Sequence, residues 1–100
     1  MAGELIERLC LDLENVARSL SLAGSVENWM RLRDQSHILI ALAGAAGADP
    51  LQSAAEALNR IAARADRAAL EQILPACLSM IAALPSMIRS LPLPGAGTAP

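Results

Sequence analysis

Lysine, tyrosine and phenylalanine are absent from this 100-residue chain, and tryptophan and histidine occur once each. Without rings to fill it, a core has to be aliphatic. The missing aromatics also remove the stacking platforms on which single-stranded nucleic acid is held. Eight arginines are dispersed along the chain against ten carboxylates, and the formal net charge is −2. No basic stripe is formed, so nucleic acid is not expected as a partner.

Metal and redox chemistry are poorly provided for. Cys10 and Cys77 are far apart, lack the spacing of metal ligands, and have one histidine to join them. No metal is expected, and both thiols read as free and buried in a reducing compartment. A Ser–His–acid set, a Cys–His pair, a glycine-rich phosphate loop and paired carboxylates are also missing. An independent enzyme is not expected.

Targeting signals are weak. Glu4 and Glu7 stand where a secretory leader would carry positive charge, so a cytoplasmic location is expected. The uncharged stretch Ile73 to Ile88 falls short of the ~18–20 apolar residues of a span. Pro75, Ser79, Pro85 and Ser86 interrupt it. It reads as a buried final helix, with no membrane insertion.

What the chain does contain is helix-forming. Hydrophobic residues make up 54%, much of it alanine and leucine, and β-branched residues are scarce. Four amphipathic segments follow. The first, Glu4 to about Leu22, carries Ile6, Leu9, Leu13, Val16 and Leu20 on one stripe. Gly24 is expected to end it. Ser25 reads as the cap of a second helix, with Leu32, Ser36, Leu39, Ala43 and Ala46 facing the core and Gly47 as its stop.

Asp49-Pro50 reads as cap and first residue of a third helix, to about Ala65, with Leu51, Ala55, Leu58 and Ala62 inward. Asp66 caps a fourth, in which Pro75 is expected to make a kink. Trp29 reads as a packing anchor, and Met30, Met80 and Met87 as core or boundary filler. The expectation is an all-α, antiparallel four-helix up-down bundle over residues 1–91, with 92–100 as a disordered tail.

His37 follows the core position Ser36 and so points about 100° away from the buried stripe. An exposed imidazole offers a nucleophilic ring nitrogen. Arg33, Ile40, Ala41 and Gly44 lie a turn or two away on the same side, with little bulk toward the C-terminal end.

The run His37-Ile-Leu-Ile-Ala-Leu-Ala-Gly-Ala-Ala-Gly-Ala48 resembles the histidine-phosphotransfer (HPt) pattern H-x-L-K-G-x-A-x-x-x-G-A, matching at His37, Leu39, Ala43, Gly47 and Ala48. Leu51, Ala55 and Leu58 fit the family's next helix, and the approach Trp29 to His37 is similar too. The resemblance spans roughly Leu5 to Leu84, with its distinctive part in the dozen residues from His37. It implies a phosphoacceptor histidine in a two-component phosphorelay. A receiver aspartate would donate to His37, and a second receiver would accept from it. Receiver domains and a hybrid sensor kinase would be partners, with Mg²⁺ supplied by the receiver and no cofactor on this chain.

Two positions depart from the family. Ile40 and Ala41 stand where it usually has a lysine that steadies the phosphoryl group and a glycine that clears room for the partner. Arg33, one turn back, is expected to supply the missing charge. A hairpin centred near Ala48 brings Asn59 and Arg60 level with His37, which makes Asn59 a second phosphate neighbour and a candidate to bond one ring nitrogen. Ile40, Ala41, Leu42 and Gly44 would form the apolar docking strip. Two alternatives stand beside this reading. One is a degenerate HPt-like protein that binds and regulates a receiver or kinase without carrying phosphate; the other is an unrelated helical interaction module.

Overall fold

The computed structural model describes residues 2–90, and the tail expected at 92–100 lies outside them. Four helices account for the described chain: α1 (Ala2–Ser25), α2 (Trp29–Ala45), α3 (Asp49–Arg64) and α4 (Arg67–Ser90). Each packs against the next, and α4 closes the ring against α1, with no diagonal pairing among the described residues. This is the all-α four-helix bundle that the periodicity predicts.

The inward stripes fall largely where the spacing puts them, although Ala46, expected to face the core, is only half-buried just past the end of α2. Leu13, Val16, Leu20 and Ala23 from α1 meet Leu32, Ser36, Leu39 and Ala43 from α2. Leu51, Ala55, Leu58 and Ala62 from α3 and Leu70, Cys77, Ile81 and Leu84 from α4 complete the core. Ile6 and Leu9, near the start of α1, are only half-buried. The methionines read as filler are instead on the outside: Met30, Met80 and Met87 are all exposed.

All three connections use one device. After α1, the amide of Asn28 donates to the carbonyl of Ala23 and that of Glu27 to Gly24. The same pair of bonds recurs at Ala48 and Gly47 after α2, and at Asp66 and Ala65 after α3. Each is a Schellman stop, in which a left-handed residue lets the chain satisfy the helix's last carbonyls. The residue after it caps the next helix. The true caps are therefore Asn28, whose side chain accepts from the Arg31 amide, and Ala48, rather than Ser25 and Asp49. Asp66 does cap α4, accepting from the Ala69 amide. Gly24 lies inside α1, where a Cβ would fall 2.5 Å from Leu74 Cδ2; its bareness admits α4 rather than ending a helix.

Only one of the three left-handed positions is a glycine. Gly47 has φ +68°, but Glu27 and Ala65 have φ 53° and 50°. A side chain there costs on the order of 1 kcal/mol. Ala65→Gly is therefore expected to raise the unfolding free energy in urea by about 0.5–1 kcal/mol, the gain being trimmed by glycine's greater freedom in the unfolded chain.

The helix α4 continues through Pro75 and Pro85. By length and composition, Arg67–Ile88 is apolar enough to cross a membrane, and 22% of an 18-residue window within it is buried inside the bundle, so the final helix is less buried than the sequence suggests. Its inward stripe is nonetheless part of the shared core. Cys77 sits on that stripe, fully buried, and burial pushes its thiol up to about 11 from 9.0.

The folded state thus holds the Cys77 proton where the unfolded chain releases it. Stability is undiminished below pH 9 and falls as pH rises through the 9–11 window, by roughly 2–3 kcal/mol from this thiol. No lysine or tyrosine titrates alongside. Urea unfolding at pH 8 and pH 11 is expected to show a smaller alkaline loss for Cys77→Ala than for wild type.

Candidate functional site

The site begins with the small side chains of α2. Leu32 and Leu39 are the large anchors of its inward stripe, and Ser36 and Ala43 fill the gaps between them. With α1 on one flank and α3 on the other, only the outward face of α2 remains open. His37 is exposed on that face, at mid-helix. It takes part in no hydrogen bond or ion pair among the described residues.

His37 lines a shallow surface depression with Met30, Arg33, Asp34, Ile38 and Asn59. Arg33 is exposed, and its guanidinium enters no ion pair among the described residues. Its five N–H donors are therefore available to an anion beside the imidazole. Asp34 brings an opposing charge into the same depression. A dianionic group there would feel Arg33 as attraction and Asp34 as repulsion, so the balance depends on which of the two side chains lies nearer the bound group.

Asn59 reaches the site from α3, as the hairpin register predicts, but it does not hold the ring. Its Nδ2 donates to the Arg33 carbonyl at 3.1 Å and to Ser36 Oγ at 3.0 Å. Both amide hydrogens are thereby used on the α2 framework, and the bond to a ring nitrogen expected from the sequence is not formed. Ser36 Oγ also donates to the Arg33 carbonyl, at 3.0 Å. Ser36 is the one buried polar side chain in the core among the described residues, and this network satisfies it.

The apolar surface around His37 also differs in detail from the expected strip. Ala41 and Gly44 are exposed, but Ile40 and Leu42 are half-buried and pack against the core. The large exposed apolar groups beside the ring are Met30, at 75% exposure, and Ile38, at 44%. Met30 lies in the first turn of α2 and Ile38 directly follows the histidine. The sequence signal for them was present, since neither falls on the inward stripe. At Gly44 a Cβ would meet Gln52 Nε2 at 3.1 Å, so bareness there accommodates α3 as well as leaving the surface low. Arg60 is exposed on α3 but does not line the depression.

No group of three or more metal-ligating side chains occurs among the described residues. Comparison with family models, curated proteins and solved structures finds no match.

Proposed function

We propose that this chain is a histidine phosphocarrier, taking a phosphoryl group on His37 from a receiver-domain aspartate and passing it to another receiver. The observation that carries the reading is the pairing of an unencumbered, exposed imidazole with an unpaired arginine in one depression, on the only open face of α2. The resemblance of residues 37–48 to the HPt pattern supports it.

The chemistry needs little from the chain. A ring nitrogen lone pair attacks phosphorus in line; the N–P bond forms as the bond from phosphorus to the aspartate oxygen breaks, and the carboxylate leaves. The proton on the other ring nitrogen is then free to pass to solvent. Transfer to a second aspartate reverses these steps. Such reactions depend on positioning and on charge stabilisation. Arg33 supplies a fixed positive charge, the role that Ile40 cannot fill, while the receiver brings its own Mg²⁺. Met30 and Ile38 offer apolar contacts within the depression, and Ala41 and Gly44 leave the surface toward the C-terminal end of α2 low enough for a partner to approach.

A second reading draws on Asp34 and on Ile40. With a carboxylate in the depression and no lysine after the histidine, the same surface would suit a protein that binds a receiver or kinase and regulates it without carrying phosphate.

The test is incubation of the chain with a panel of receiver domains phosphorylated on aspartate. Acid-labile label on His37, chased off by an unphosphorylated receiver, is the expected result. Stable binding without label would establish the regulator instead.

A further inference from the structure

We infer that Asn59 is a positioning residue for His37, acting from α3 through the Arg33 carbonyl. This rests on the phosphocarrier reading and adds a part to it. In an α-helix the carbonyl of residue 33 accepts the amide of residue 37, so the acceptor to which Asn59 and Ser36 both donate also anchors the backbone of His37. Three donors converge on one carbonyl oxygen, two of them side chains and one of those from another helix.

Asn59 makes two side-chain hydrogen bonds to a different helix. Other side-chain bonds span three residues within a helix or at its cap. A cross-helix clamp is thus found at the turn that presents the imidazole. Ser36 is fully buried and small, which lets α3 come close enough for a side chain as short as asparagine to span the gap. The packing around Leu32 and Leu39 holds α2 in the bundle. The Asn59 carboxamide fixes the rotation and height of one turn within it, and the ring itself stays free to meet a donor. A donor brought in by a docked protein must find the nitrogen at about 3–3.5 Å from phosphorus, and small misplacements of the attacking atom are expensive.

Asn59→Asp tests this with little change in size, because a carboxylate cannot donate to either acceptor; Asn59→Ala controls for the added charge. Two measurements are made on the wild type and both variants. One is amide hydrogen exchange resolved by residue. The other is the rate at which phosphoramidate, and the best receiver from the panel, label His37. With each bond contributing modestly, exchange at Ser36 and His37 is expected to rise about tenfold while amides of α1 and α4 keep their protection. Receiver-dependent labelling should fall about tenfold, and by more than labelling from phosphoramidate.

Exchange that rises evenly in all four helices would make Asn59 a general stability residue and overturn the proposal. Wild-type exchange and labelling in both variants would overturn it as well. Labelling of the wild type by neither donor, with exchange still raised locally, would defeat the phosphocarrier reading; the clamp would stand and its catalytic purpose would not.

Discussion

His37→Gln is expected to take up no acid-labile phosphate from any receiver that labels the wild type, a loss of more than ~100-fold. Misplacing a reacting atom by about 1 Å can cost a factor of that order, and removing the atom costs at least as much. Glutamine keeps the polarity and approximate length of the side chain, and the site is exposed. The variant should therefore fold as the wild type does, with the same helical circular dichroism and the same urea midpoint. Equal folding with absent labelling separates loss of a nucleophile from loss of structure. Label that persists in His37→Gln would lie elsewhere and would refute the assignment, since the chain has no second histidine.

The other large effect is on stability. Leu39→Ala should lower the unfolding free energy by about 2–5 kcal/mol and the melting temperature by roughly 10 °C or more. For a domain whose whole stability is on the order of 5–15 kcal/mol, that is severe. The reason is local to α2. Leu39 is fully buried, and its companions on the inward stripe are Leu32 and the small Ser36 and Ala43. Removing one of two large anchors leaves a cavity that no neighbouring bulky side chain of α2 can fill. Thermal unfolding followed by circular dichroism measures it. A drop of only a degree or two would mean that α1 and α3 collapse into the space.

These two residues, two positions apart, show what could be read in advance. The periodicity 32, 36, 39, 43 identified the buried stripe of α2, because burial on a helix follows from angular position alone. It equally placed His37 outside. The flanks of the helix were harder. Ile40 and Leu42 are half-covered because α1 and α3 pack on either side of α2, and one helix's sequence does not state how far its neighbours wrap around it. Met30 and Ile38, both off the inward stripe, carry the exposed apolar surface instead.

Asn59 was partly legible. Counting from the turn put it level with His37, but where a carboxamide points depends on which acceptors lie within its reach. Here the Arg33 carbonyl and Ser36 Oγ are the ones it meets. The turns escaped the sequence in another way. Glu27 and Ala65 adopt left-handed backbone without being glycine, and the bonds that compensate for it belong to the helix end rather than to those residues. The caps consequently fell at Asn28 and Ala48 instead of Ser25 and Asp49.

The closed ring of helices has a consequence for traffic at His37. Two sides of α2 are occupied by permanent neighbours and a third by the core, which leaves a single direction of approach to a single imidazole. Any two proteins that use that entrance exclude one another. If His37 carries phosphate as proposed, loading and unloading would take place in separate encounters, each partner departing before the next arrives, and an excess of either one would compete with the other for the same chain.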